Sequence, residues 1–159
     1  MKPLAGKAII ITGAGGGLGA AYAIHAASLG AQVVVNDIDQ AAAERTCSEI
    51  IAAGGTATVC AGDVGQWSFA DELVEACCSA FGTVTGLVNN AGLLRPATMA
   101  SITEDEFRAL LSVNVLGTAA CAQAAARRML ENGRGGSIIN VTSGSHAGDV
   151  GLGGYSATK

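Results

Sequence analysis

One alternation, sustained from Lys7 to Lys159, restricts the possible folds of this chain more than anything else. Short β-branched or apolar runs are each followed by a turn and then by a stretch with helical signals. Lys7 to Thr12 (KAIIIT) is continuous and apolar, as expected of a strand buried on both faces, and it ends in a glycine cluster. Leu18 to Leu29 reads as an alanine-rich helix closed by Gly30. Gln32 to Asp37 is a second strand. Asp39 caps a helix to about Ala53 that stops at Gly54-Gly55, and Thr56 to Ala61 is a third strand. Ser68 and Asp71 predict a capping-box-like start for a helix to about Phe81, and Val84 to Asn89 is a fourth strand. Thr103 and Glu106 form a fuller capping box before a long helix to Leu130. After the turn Gly133 to Gly136, Ser137 to Thr142 is a fifth strand, and a last helix begins near Gly154. Strands alternating with helices predict a parallel α/β sheet covered on both faces, and right-handed crossovers make it doubly wound. No linker, low-complexity tract or repeat divides the chain, so a single domain over 1–159 is expected.

Composition narrows the function classes. Half of the 159 residues are hydrophobic and 14% are charged, which suits a globular core. A net charge of −4, with only Arg127 and Arg128 adjacent among the bases, offers nothing to nucleic acid or to an anionic membrane surface. Gly, Asp and Asn break the apolar stretches, so no bilayer span is expected. The amino terminus has no signal-peptide core, and the cytoplasm is the expected compartment. Cys47, Cys60, Cys77, Cys78 and Cys121 are an odd set without C-x-x-C spacing. They read as small buried hydrophobes, not as a disulfide or zinc site. No metal site is expected.

The glycine cluster, Thr12-Gly-Ala-Gly-Gly-Gly-Leu-Gly19, lies between the first strand and the first helix, the context in which a glycine-rich motif has meaning. Glycines let the backbone approach a pyrophosphate whose charge the helix amino terminus favours. Several registers fit: Gly15-x-Gly17-x-x-Ala20, or the wider Thr12-Gly13-x-x-x-Gly17-x-Gly19. A ligand-free tight turn also fits the loop taken alone. Asp37 ends the second strand about 20 residues on, where an acid hydrogen-bonds the ribose hydroxyls of NAD. A turn or helix-cap role is its alternative, though Asp39 already fills that role. Ile38 and the glycine at 16 offer no base to a 2′-phosphate, so NAD is expected over NADP.

Tyr155-Ser-Ala-Thr-Lys159 puts a phenol and an ammonium on one helix face. A free phenol ionises near pH 10, and a nearby cation favours the phenolate. A Y-x-x-x-K pair alone is common on solvated helix faces. Here Ser143 closes the fifth strand and Asn89-Asn90-Ala91-Gly92 ends the fourth, both at the edge where open α/β sheets place ligands. Asn114 lies inside the long helix, where an amide competes for backbone hydrogen bonds; by itself it is an exposed or locally bonded side chain. His25 falls on the first helix, and His146 reads as a loop residue that could line a substrate pocket.

In order, these motifs make the chain resemble the short-chain dehydrogenase/reductases of the Tyr-Lys type, from Gly6 to Lys159. The resemblance implies a Rossmann fold of strand order 3-2-1-4-5. It implies an oxidoreductase that moves hydride between NAD and a secondary alcohol or ketone. By the same resemblance, Gly13, Gly17, Leu18 and Gly19 hold the pyrophosphate, Asp37 and Ile38 flank the adenosine ribose, and Asp63 and Val64 meet the adenine. Asn90, Ala91 and Gly92 flank the cofactor. Tyr155 is implied as general acid/base, and Lys159 as the partner of the nicotinamide ribose that eases ionisation of the phenol. Ser143 holds the substrate oxygen, and Asn114 positions a water in a proton relay. An NADP-dependent ketoreductase is the alternative. A homo-oligomer acting on a small-molecule substrate is expected, without nucleic acid or membrane.

Two departures stand out. The Ser143–Tyr155 loop is one residue shorter than usual, which leaves Thr142 or Ser145 as substitutes for the serine. Family members also continue beyond the lysine, through the rest of that helix and two further strands, parts that supply a loop gripping the nicotinamide amide, most of the substrate pocket with its lid, and much of the oligomer interface. A chain ending at Lys159 is expected to be an amino-terminal portion of such an enzyme, or, as the alternative, a catalytically incompetent dinucleotide-binding fragment able at most to hold the adenosine half of the cofactor, with its fifth strand an open edge.

Overall fold

The structure, a computed structural model, describes residues 2–133 and 135–159. Five apolar runs form β1 (Ala8–Ile11), β2 (Gln32–Val35), β3 (Thr56–Val59), β4 (Gly86–Asn89) and β5 (Ser137–Asn140). They pair in parallel in the order β3-β2-β1-β4-β5, the doubly wound order that the sequence implies. In the centre, Ile10 lies opposite Val34 on one side and Leu87 on the other. The chain runs outward from β1 to β3 and then returns to β4, so a crevice opens at the carboxyl ends of β1 and β4.

Helices α1 (Gly17–Ser28) and α2 (Gln40–Ala52) cover one face, and α3 (Phe69–Phe81) and α5 (Thr118–Glu131) the other. Side chains of a strand alternate between faces. Ile11, Val33 and Val35 therefore join Ala23, Ala27, Ala43 and Ile50, whereas Ile10 and Val34 join Leu73, Leu87, Ala124 and Met129. Burial on both sides is why the central strands β1 and β2 read as apolar runs. The buried residues of α1 are Gly19, Ala23 and Ala27, four apart, a stripe of small residues that lets the helix lie close to the sheet.

Most helix signals hold. The Asp39 carboxylate accepts the Ala42 N–H at 3.1 Å, Thr103 and Glu106 form a reciprocal capping box, and Gly30 turns the chain out of α1 at φ +98°. Two expectations fail. Ser68 has helical backbone angles and no capping bond, because Phe69 and Ala70 donate back to the carbonyls of Gln66 and Trp67 and draw the turn past it. The long helix is also not uniform. After α4 (Glu104–Leu110), residues Leu111–Gly117 adopt π-helical turns before α5 begins. Such turns are rare and cluster at functional sites.

The expectation that no segment is apolar enough to cross a bilayer also needs correction. Glu104–Glu131 is 28 residues long with a mean hydropathy of 1.4 in its most apolar window. Its packing is that of a core helix: Leu110, Gly117, Ala120, Cys121, Ala124 and Met129 are buried, while Arg127 and Arg128 pair with Asp71 and Glu75 of α3. All four residues of β5 are exposed. A groove of about 700 Å³, lined by Ile9, Ile11, Tyr22, Val88 and Ile139, runs between α1 and this edge.

The five cysteines are free thiols, and burial pushes Cys77 up to about 12 and Cys121 up to about 11. An unfolded Cys77 loses its proton near the ordinary value of 9.0. Between these values the native state binds more protons, so stability falls as pH rises. Cys77 alone is expected to cost roughly 1 kcal/mol at pH 10 relative to pH 8. Urea melts of the wild type and Cys77→Ala should converge as pH rises, and parallel pH curves would contradict this.

Candidate active site

The crevice begins where β1 ends. Thr12 is buried, and its hydroxyl accepts the N–H groups of Asn90 and Ala91 at 3.1 and 3.0 Å. The Asn90 side chain returns two bonds, to the carbonyls of Thr12 at 2.9 Å and Gly13 at 3.1 Å. β4 therefore holds the glycine loop in place. Gly13 has φ +62°, and a Cβ there would stand 2.8 Å from the Ala91 Cα. At Gly19 a Cβ would overlap the Gly13 carbonyl oxygen and lie 2.5 Å from Asn90 Nδ2. Only glycine fits at either position.

Gly16 and Gly17 face open space. Among the described residues, the start of α1 has neither a side-chain cap nor an acid in its first turn. An uncapped, open helix amino terminus of this kind could accept an anion such as a pyrophosphate. Leu18, 64% exposed, borders the same opening.

Asp37 lies half-buried just beyond β2. Its Oδ2 accepts the Gly15 N–H at 2.9 Å and its Oδ1 accepts the Asp39 N–H at 3.1 Å. The carboxylate thus braces the glycine loop and keeps lone pairs for another donor. Asp37, Ile38, Asp63, Val64, Ala91 and Gly92 all line one cleft of about 330 Å³ at the switch point. Val64 is buried, Ile38 is 73% exposed, and Asp63 ties its own loop through the Gly65 N–H at 2.8 Å. Asp37, Ile38, Asp63 and Val64 thus share one crevice with Gly13, Asn90, Ala91 and Gly92, whereas Gly17, Leu18 and Gly19 do not line it.

The second cluster lies further along the same edge. Asn114 is buried in the π segment. Its Oδ1 accepts the Leu93 N–H at 2.7 Å, and its Nδ2 donates to the Leu93 carbonyl at 3.0 Å and to Thr158 Oγ1 at 2.8 Å. Gly117, in the same segment, has no room for a Cβ beside the Val64 carbonyl, 2.8 Å away. These two fixed points account for the widened helical turns.

Helix α6 (Gly153–Thr158) carries the half-buried Tyr155, with Lys159 at its carboxyl cap. Lys159 Nζ donates to the Val141 carbonyl at 3.1 Å, and burial holds its ammonium below the ordinary lysine range. A Cβ at Gly92 would come within 3.1 Å of that Nζ and 3.6 Å of Asn114 Oδ1, so the glycine makes room for both.

Ser143 is half-buried at the amino cap of a short 3₁₀ turn, Gly144–Ala147, and its hydroxyl accepts the Ser145 N–H at 3.2 Å. Among the described residues it is not hydrogen-bonded to Tyr155. The two substitute hydroxyls are committed elsewhere, Thr142 to the Lys159 carbonyl at 2.9 Å and Ser145 to Asp149 at 3.3 Å. His146 is exposed, with Nδ1 2.6 Å from the Ser143 carbonyl, and His25 is exposed on α1.

Sequence reasoning gave no role to the polar side chains that knit these pieces: Thr12, named only as the start of the glycine motif, Asn36, and Thr158, passed over within the Tyr155–Lys159 stretch. Asn36 is buried beside Asp37 and donates to the carbonyls of Cys60 and Gly62, which fixes the loop carrying Asp63. A polar residue ending an otherwise apolar strand is the signal that marks both Thr12 and Asn36.

This chain belongs to the short-chain dehydrogenase family, whose model matches residues 7–159. An uncharacterized oxidoreductase of Methylorubrum extorquens is 43% identical over 144 residues, 90% of this chain and 57% of that protein. A sorbitol dehydrogenase of Cereibacter sphaeroides is 39% identical, covering 98% of this chain and 60% of that protein. The crystal structure of a short chain dehydrogenase from Mycobacterium avium superposes with a TM-score of 0.92 at 38% identity, over 98% of this chain and 59% of that one. The chain therefore spans about 57–60% of the length of these relatives.

Proposed function

We propose that this chain forms the cofactor-binding and proton-handling part of an NAD-dependent oxidoreductase acting on a small secondary alcohol or ketone. The observation that supports it most is the sharing of one sheet edge by an open, uncapped glycine loop backed by Asp37 and the Asn114–Lys159 cluster. A nicotinamide cofactor, when bound, supplies the hydride acceptor or donor. The α1 amino terminus and Gly13, Gly17, Leu18 and Gly19 would hold the pyrophosphate, Asp37 the ribose diol, and Asp63 with Val64 the adenine.

In the oxidation direction, Tyr155 takes the hydroxyl proton of the substrate as hydride leaves the adjacent carbon. In reduction it returns that proton to the carbonyl oxygen. Lys159 steadies the phenolate and the nicotinamide ribose, and Ser143 donates to the substrate oxygen. Asn114, whose two amide hydrogens are committed to Leu93 and Thr158, orders a water of the relay through the second lone pair of its Oδ1. We read the protein as a homo-oligomer in the cytoplasm, where five free thiols suit a reducing milieu.

Calorimetric titration with NAD and NADP, followed by absorbance of reduced nicotinamide with a panel of secondary alcohols and polyols, tests this reading. NAD binding with turnover supports it. A folded protein that binds neither nucleotide overturns it.

Asp37 sets the cofactor preference. Asp37→Ser should weaken NAD by about 10- to 100-fold, the weight of charge-assisted hydrogen bonds to the ribose. Adding Ile38→Arg should bring NADP to equal or tighter binding than NAD, because the exposed position 38 would then offer a base to the 2′-phosphate. An unchanged NAD/NADP ratio in the double variant contradicts this role.

A further inference from the structure

The proposed reaction depends on where α6 holds its phenol and ammonium, and the motif does not say what fixes that helix. Thr158, between Tyr155 and Lys159, is one of the few buried polar side chains of the protein. Its hydroxyl accepts from Asn114 Nδ2 at 2.8 Å and donates to the Tyr155 carbonyl at 2.9 Å. Each partner uses a different capacity of the oxygen, so a hydroxyl is required and a methyl cannot substitute. Asn114 has no slack to give. Its other two bonds grip both backbone groups of Leu93, the residue after the Asn-Asn-Ala-Gly turn.

We propose that Thr158 is a positioning residue. Its hydroxyl locks the helix carrying Tyr155 and Lys159 to the π segment, and so to the end of β4. The surroundings are consistent with a lock that works by placement. Gly154 packs without room for a Cβ against Ile102, Leu110 and Phe107. Lys159 is tied at both ends to the chain after β5, through the Val141 carbonyl and the Thr142 hydroxyl. Packing thus sets the depth of α6, the ties of Lys159 hold it against the chain after β5, and Thr158 sets its rotation toward Asn114. Without the hydroxyl, one buried amide hydrogen of Asn114 loses its partner, and α6 is free to turn by the fraction of a residue that misaligns phenol and ammonium.

The inference rests on the proposed dehydrogenase reading, and the test separates the two. Thr158→Val, Thr158→Ala and Thr158→Ser are assayed beside wild type in the full-length enzyme, with NAD affinity measured separately. Val and Ala are expected to lower kcat about 10- to 100-fold with less than about threefold change in KM or NAD affinity. They should also shift the pH limb of kcat that reports the phenol–ammonium pair. Ser is expected to restore both rate and pH profile to within about threefold. If Val fails to fold, Ala, which adds no atom, carries the same expectation. Wild-type kcat and pH profile in a folded Val or Ala variant overturn the lock, as does a Ser variant no better than Ala. A wild type that turns over no alcohol overturns the dehydrogenase reading and the lock with it, and that failure is visible before any substitution is made.

Discussion

Replacing Tyr155 with Phe is expected to lower kcat/KM by about 10³- to 10⁴-fold while leaving NAD binding within about twofold of wild type. The substitution removes one oxygen and keeps the ring, so packing around the half-buried side chain changes little. On the proposed mechanism, what is lost is the group that would carry a proton on and off the substrate oxygen, which only the transition state would need. The adenosine cleft, bounded by Asp37, Asp63, Val64 and Gly92, remains intact. Calorimetry for NAD and steady-state rates on the same preparation separate the two effects. A Phe variant that turns over within tenfold of wild type would assign the proton to another group.

Replacing Gly19 with Ala is expected to fail differently. An added Cβ meets the Gly13 carbonyl oxygen and Asn90 Nδ2, one backbone and the other a side chain already committed to two carbonyls. Neither is the free end of a flexible chain, so the loop or α1 has to move. Overpacking of this kind costs about 1–3 kcal/mol in stability. The larger consequence expected is for binding, because the displaced backbone includes the N–H groups that the proposal assigns to the pyrophosphate. We expect NAD affinity to fall by about 100-fold or more while circular dichroism still reports a folded α/β protein. Unchanged NAD affinity in this variant would remove the glycine loop from the cofactor site. The contrast between the two variants, one losing rate and the other losing binding, separates the functions of the two ends of the crevice.

The central strands β1 and β2 were legible because burial on both faces gives them unbroken apolar runs. Alternation and crossover handedness pointed to a doubly wound parallel sheet, and the strand order came from the family resemblance. Caps with local partners were legible too: Asp39 and Thr103 each bond within three residues. Ser68 looked the same in sequence and is not a cap. Whether a helix starts there depends on the preceding loop, and that loop is shaped by contacts with the π segment, where Ser112 donates to the Gly65 carbonyl at 3.0 Å. The π segment itself left no trace in hydrophobic periodicity. Its register is set by Val64, Leu93 and Thr158, which lie between 21 and 53 residues away from the positions they hold. Of the candidate site, residue identity was readable from motif order, whereas mutual support was not. The Thr12–Asn90 clasp spans 78 residues and the Asn114–Thr158 bond spans 44, distances over which a single sequence carries no pairing signal.

The central claim is that hydride passes between a substrate carbon and NAD at a site where Tyr155 handles the proton. Its most direct test supplies the full-length enzyme with NAD and secondary alcohols deuterated at the carbinol carbon, and weighs the reduced cofactor by mass spectrometry. Deuterium recovered in the reduced nicotinamide from at least one alcohol, and lost with Tyr155→Phe, is the predicted result. NAD that binds but never acquires the label, or label that transfers equally well without the phenol, would contradict it.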